Sequence, residues 1–108
     1  MAKIVESERK FIEIAVEQDY RLEISNFEAF LIYLPSSKEF LQDIIKVKKG
    51  VKQYMWISGS PETAKKFTRL KLAEKEANKT PKAIVVILFK PSDYVVVPMN
   101  QMSLFESK

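Results

Sequence analysis

The sequence predicts a single α/β domain with a mixed central sheet of about five to six strands flanked by two helices. Three observations lead to this prediction. The 108 residues, of which 46% are hydrophobic, suit one domain with one core. Two segments carry apolar residues at helical spacing, and the remaining apolar runs have the length of strands and end at turn residues. The expected order is α-β-β-β-β-α-β-β over residues 1–99, followed by a tail at 100–108.

The first half of the chain begins with a helix at 3–18. Phe11–Val16 within it also alternates well enough to form a strand. Tyr20–Ser25 alternates between apolar and polar residues, which predicts a half-buried strand. Residues 28–34 are almost continuously apolar, as in a central strand, and the run ends at Pro35-Ser36-Ser37.

A hairpin is predicted next, with strands at Phe40–Lys48 and Lys52–Ser58 and a turn at Lys49-Gly50. The second helix should start at Ser60-Pro61-Glu62, because Ser caps helices, Pro fits the first helical position and Glu suits the positive end of the dipole. It should end near Asn78, before Thr80-Pro81.

Ala83–Phe89 is the most hydrophobic segment and predicts a buried strand, and Tyr94–Pro98 predicts a last strand after a turn at 90–93. A helix that crosses between the strands at 52–58 and 83–89 is a βαβ arrangement. Its two strands would be parallel, so the sheet is expected to be mixed.

Charge is strongly segregated along the chain. Residues 44–82 hold eleven Lys or Arg and three Glu, whereas residues 1–43 hold five basic and nine acidic side chains. Such a field suits a polyanion, which predicts a DNA-binding protein. The expected phosphate contacts are Lys46, Lys48, Lys49, Lys52, Lys65, Lys66 and Arg69.

A plainer interpretation stays open for these lysines. Lys46, Lys48 and Lys52 could alternate on the solvent face of a strand pair while Ile45, Val47 and Val51 pack inside. Tyr54, Trp56 and Phe67 lie beside lysines in the sequence and could either stack on bases of a single strand or belong to the core.

Missing residue types exclude several chemistries. The chain has no His and no Cys, which excludes structural zinc, cysteine nucleophiles and Ser-His-Asp triads. It has no glycine-rich nucleotide loop, so no nucleotide cofactor is expected. Any metal would be Mg²⁺ or Mn²⁺ on carboxylates. No apolar run reaches membrane-spanning length and no secretory signal is evident, so a cytoplasmic protein without a membrane partner is expected.

The predicted order of elements resembles the restriction-endonuclease-like, or PD-(D/E)xK, fold, and within it the small archaeal-type Holliday junction resolvases. Phe40–Lys48 falls where that family has its (D/E)-x-Lys strand, with Lys48 at the Lys and Lys46 where an acid belongs. The resemblance implies a Mg²⁺-dependent endonuclease that uses Glu28, Asp43 and Lys48, with Glu6 or Glu8 as the family's helix Glu, and it implies a symmetric homodimer. Because Lys46 would repel a metal, binding to DNA without cleavage is the favoured expectation.

The tail provides a third hypothesis. Gln101-Met102-Ser103-Leu104-Phe105 resembles the bacterial sliding-clamp-binding pentapeptide. The resemblance implies that Leu104 and Phe105 enter an apolar pocket while Gln101 hydrogen-bonds at its rim. The chain would then be a small protein-interaction module. Alternatively, these apolar residues fold back onto the core.

Overall fold

The computed structural model describes residue 4, residues 6–17 and 22–90, and the backbone of 95–98. Two helices, α1 (Arg9–Glu17) and α2 (Leu70–Ala77), accompany the strands β1 (Phe27–Leu34), β2 (Glu39–Lys48), β3 (Val51–Ser58) and β4 (Ile84–Phe89). The order is α-β-β-β-α-β, and a short strand β5 (Val95–Pro98) follows. The protein is therefore a small α/β domain, as the sequence predicts.

The sheet is antiparallel throughout its described pairs, so the prediction of a mixed sheet is wrong. Its order is β3-β2-β1-β4, with β5 beside β4. The connection through α2 does join β3 to β4, but β2 and β1 lie between these two strands. The predicted parallel βαβ unit is absent because β4 pairs with β1 instead.

Both helices cover one face of the sheet. Ile12 and Ala15 of α1 and Leu70, Ala73 and Ala77 of α2 belong to one buried cluster with side chains from β1, β2 and β4. A second cluster lies on the opposite face and includes Leu31, Val86 and Leu88. Burial on both faces explains why β1 and β4 read as continuous apolar runs.

The predicted strand at Tyr20–Ser25 is wrong for its described part. Leu22 is buried, but residues from Ile24 to Asn26 form a single 3₁₀ turn that leads directly into β1. The turn closes with a hydrogen bond from the Asn26 amide to the Glu23 carbonyl. The alternation of apolar and polar residues here therefore corresponds to one buried side chain, Leu22, followed by a 3₁₀ turn.

The second helix starts nine residues later than predicted. Ser60 does act as a cap, since its Oγ accepts a hydrogen bond from the Glu62 amide, but the turn it begins covers only Pro61–Thr63. Residues 64–69 are not helical. The helix resumes at Leu70 and ends at Ala77, close to the predicted end.

The segment 65–67 fills a gap between β1 and β2. These strands pair only beside their turn, at Tyr33 with Phe40 and at Leu34 with Glu39. Farther along, the Lys65 amide donates to the Leu41 carbonyl at 2.8 Å, and Phe67 exchanges two backbone hydrogen bonds with Phe30 at 2.7 and 2.9 Å. A helix at 65–67 would leave the backbone hydrogen-bonding groups of these strand edges without partners. The segment therefore pairs with the strands although its sequence favours a helix.

Beyond this gap, β2 and β3 continue as a two-stranded ribbon. We use "the ribbon" for residues 43–55. The strands pair from Glu39 and Ser58 to Lys48 and Val51, with irregularities after Leu41 and after Lys46. Gly50 turns the tip with φ of 77°, a conformation that costs glycine little. The predicted hairpin is confirmed.

A buried carboxylate joins the start of the chain to α2. Glu8 is 3% exposed, and its two oxygens accept hydrogen bonds from the amides of Leu70 at 2.8 Å and Lys71 at 3.2 Å. Arg69, the residue that precedes the helix, makes no capping bond with its side chain. A residue 62 positions away therefore caps α2 and holds it in place.

Candidate nucleic-acid interface

The ribbon and α2 enclose a groove between them. One cavity of about 840 Å³ lies at the ribbon tip and extends to the end of α2; its lining residues are Lys46, Lys48, Lys49, Gly50, Val51, Lys52, Tyr54 and Lys79. A second cavity of about 340 Å³ lies alongside; its lining residues are Ile44, Lys46, Lys52, Lys65, Phe67, Leu72, Lys75 and Glu76. Because the two share Lys46 and Lys52, we describe them together as the lysine groove.

Strand pairing explains why the lysines face α2. Residues directly opposite each other in an antiparallel pair lie on the same face of the sheet. Lys46 pairs with Lys52, and Ile44 pairs with Tyr54. All four line the groove, so this face of the ribbon is the one turned towards α2.

The charged side chains that line the groove are almost all positive. Its lining holds seven lysines and one glutamate. Two lysines directly opposite each other on a ladder are unfavourable for folding, yet Lys46 and Lys52 occupy such a pair. Within the described residues, Lys46, Lys48, Lys49 and Lys75 form no salt bridge, which leaves their charges available to an anion.

Glu76 connects α2 with the ribbon. It accepts a hydrogen bond from Lys79 Nζ at 2.9 Å and one from the Tyr54 hydroxyl at 3.3 Å, and Lys52 Nζ lies 3.7 Å from its Oε1. Burial alone would raise the pKa of this carboxyl, but the hydrogen bond and charge of Lys79, with the charge of Lys52, outweigh burial and lower the pKa. Glu76 is therefore held ionised.

The neighbours of Glu76 respond in the opposite sense. Burial raises the pKa of the Tyr54 hydroxyl, and the negative charge of Glu76 adds to the rise. The hydrogen bond to Glu76 raises the pKa of Lys79. Near neutral pH the tyrosine thus stays protonated and the lysine stays charged, so that both donate to Glu76.

The opposite face of the ribbon carries exposed apolar side chains. Ile45 is 43% exposed, Val47 59% and Met55 36%. Val51 is 41% exposed at the ribbon tip, where it lines the lysine groove. The interpretation that packed Ile45, Val47 and Val51 inside is therefore wrong. The ribbon extends past β1, and no described strand or helix covers these apolar side chains on this face.

Five of the seven predicted phosphate contacts line the groove: Lys46, Lys48, Lys49, Lys52 and Lys65. Lys66 and Arg69 lie outside it, and Lys66 Nζ donates to the Glu62 carbonyl at 2.8 Å. The sequence did not lead us to assign Lys75 and Lys79 to the site, and it left open whether Tyr54 stacks on bases or belongs to the core. Lys75 lies in α2 and Lys79 lies two residues after the helix ends. Their four-residue spacing in the sequence is that of one helical face, which is the signal that could have found them.

The three predicted catalytic residues lie on different parts of the sheet. Glu28 is half-buried in β1, and Asp43 is exposed in β2, where its carboxylate accepts from the Ile44 amide at 2.8 Å. Lys48 lies at the ribbon tip, five residues along β2 from Asp43. This separation corresponds to about 16 Å along the strand. Among the described residues no group of three or more acidic side chains could hold a metal ion.

The other predicted features lie partly outside the described residues. Gln101, Leu104 and Phe105 of the tail belong to that undescribed part. Glu8, one of the two residues that the resemblance offers as the helix Glu of a nuclease, accepts the capping hydrogen bonds of α2 with both of its oxygens. Neither described helix is long and apolar enough to cross a membrane.

Comparisons with protein-family models, with curated proteins and with solved structures found no match to this chain.

Proposed function

We propose that the protein binds nucleic acid, with DNA as the expected ligand, and that the lysine groove contacts the phosphate backbone without cleaving it. The observation that carries this proposal is the lining of the groove, in which seven lysines are opposed by one glutamate. Lysines on opposing walls can neutralise successive phosphates of one strand. Such contacts position a nucleic acid and do not read its sequence.

The structure supports an estimate of the salt dependence. Lys46, Lys48, Lys49, Lys65 and Lys75 line the groove without a described ion pair. If each neutralises one phosphate at about 0.7–0.9 released counterions, the slope of log K against log salt is about −3.5 to −4.5. Between about 50 and 200 mM salt, affinity should then fall by at least about 100-fold.

The test is a fluorescence-anisotropy titration with labelled single-stranded, duplex and four-way-junction DNA at these salt concentrations, repeated with Mg²⁺ and followed by analysis for cleavage. The proposal expects salt-sensitive binding and intact DNA. A lack of binding to all three ligands at low salt would contradict it. Cleavage that depends on Mg²⁺ would instead support the endonuclease hypothesis.

The endonuclease hypothesis rests on the order α-β-β-β-α-β and on Glu28, Asp43 and Lys48. The order agrees with that of the restriction-endonuclease-like fold, but the antiparallel pairing of β4 with β1 and the lysine at position 46 count against it. We therefore rank cleavage below binding. Binding of a sliding clamp by Gln101, Leu104 and Phe105 stays a prediction from the sequence, and deletion of residues 100–108 would test it.

A further inference from the structure

Each cavity of the lysine groove combines lysines with one aromatic ring. Tyr54 lines the cavity at the ribbon tip, and Phe67 lines the other. Lys46 and Lys52, which are paired across the ribbon, line both. Lysine stems bury apolar surface while their charged ends stay in water, so each cavity has apolar walls and a cationic rim.

Tyr54 is held in a fixed position. Its hydroxyl is bonded to Glu76, and its backbone pairs with Ile44 in the ladder. The ring is neutral, and Glu76 partly balances the charges of Lys52 and Lys79 beside it. This part of the groove therefore suits an uncharged, flat group, whereas the unpaired lysines nearby suit phosphates.

Phe67 is the weaker of the two rings as a platform, because Lys65 Nζ already lies 5.8 Å from its centroid. Tyr54, Phe67 and Trp56 all pack against the main core cluster, but Trp56, two residues after Tyr54 on the same face of β3, lines neither cavity. Tyr54 is thus the ring that is best placed to receive a ligand.

From these observations we infer that the groove is a site for single-stranded nucleic acid, with a base stacked on Tyr54 and an adjacent phosphate on Lys46, which lines both cavities and has no described ion pair. This inference rests on the proposed function and specifies its ligand. Unpaired bases present their faces, and stacking on an aromatic side chain tolerates any sequence. A duplex keeps its bases stacked inside, so that Tyr54 would have no partner in it.

The test separates the contribution of bases from that of phosphates. Three labelled probes of about 12 units, within the range that single-strand sites cover, are titrated by anisotropy: oligothymidylate, an abasic strand with the same phosphates, and a duplex. Oligothymidylate should bind about 10-fold or more tightly than the abasic strand. This comparison uses the unaltered protein and is independent of any effect of a substitution on folding.

Variants then assign the effect to one ring. Tyr54→Leu should weaken oligothymidylate binding by about 10-fold and leave abasic-strand binding unchanged, whereas Tyr54→Phe should retain most of the affinity. Tyr33→Leu is the matched control, because Tyr33 packs against Phe40 outside the groove, with 4.8 Å between the ring centroids. Emission of the single tryptophan, Trp56, reports whether each variant is folded.

The outcomes distinguish the inference from the function on which it rests. Equal affinity for the abasic strand and oligothymidylate, or tighter binding of the duplex, would overturn the single-strand inference and leave phosphate binding intact. An equal loss of binding to both strands in Tyr54→Leu would also overturn it. Failure of all three probes to bind at low salt would overturn both proposals.

Discussion

Replacement of Glu8 by Ala should destabilise the protein far more than its place near the chain start indicates. Glu8 is 3% exposed and accepts two amide hydrogen bonds at the start of α2. Hydrogen bonds to a charged group contribute about 1.5–3 kcal/mol each, and loss of a capping side chain costs about 0.5–2 kcal/mol. The substitution also relieves the desolvation cost of the buried charge, which offsets part of this loss, so we expect a net loss of about 3 kcal/mol in the free energy of unfolding.

The assay is urea denaturation followed by the fluorescence of Trp56, which packs against the main core cluster. Glu6→Ala is the matched control: the Glu6 side chain is 83% exposed and pairs only with Arg9 among the described residues. That substitution should change stability by less than about 0.5 kcal/mol. Glu8→Gln retains one acceptor oxygen, so its loss of stability should lie between those of Glu8→Ala and Glu6→Ala. Equal midpoints for Glu8→Ala and Glu6→Ala would refute the assignment of Glu8 as the cap of α2.

Two further predictions concern the ribbon and its attachment to α2. Gly50→Ala should destabilise the protein by about 1 kcal/mol in urea denaturation. The cause is backbone strain, because φ of 77° is unfavourable for any residue with a Cβ, whereas no atom lies within 4 Å of the added Cβ. An unchanged free energy of unfolding would show that the turn adopts another conformation. Glu76 has a lowered pKa in the folded protein, so its contribution to stability is complete above the unfolded-state pKa and is lost as pH falls through the folded-state value. Acid titration of Glu76→Gln should therefore show less loss of stability than the unaltered protein, and identical acid profiles would contradict the network.

The strands were the most predictable elements of the fold. Burial on both faces gives β1 and β4 continuous apolar runs, and Lys49-Gly50 marks the hairpin by local chemistry. The helix signal at Pro61 was correct for one turn only. Phe67 has the spacing of a helix core residue, yet its backbone is needed to pair with Phe30 across the gap beside β1. No local pattern contains that long-range requirement.

The candidate site was predictable only in part for a similar reason. The run of lysines in residues 44–82 is visible in the sequence, and five of the seven predicted phosphate contacts line the groove. The groove itself depends on how the ribbon packs beside α2. Glu76 makes that contact through Tyr54 and Lys52, which are more than twenty residues away in the chain. The opposite face of the ribbon was wrongly expected to be buried, because alternation does not reveal where a sheet ends.

The central claim is that the lysine groove binds phosphates, and the salt dependence of binding in two charge-matched variants tests it most directly. Lys48→Gln with Lys49→Gln removes two charges at the ribbon tip. Lys38→Gln with Lys82→Gln removes two charges at the other end of the sheet, outside the groove. For a single-stranded probe, the first variant should lower the magnitude of the salt slope by about 1.4, and the second should leave the slope unchanged. Equal slopes in the two variants would contradict the assignment of the groove as the nucleic-acid interface.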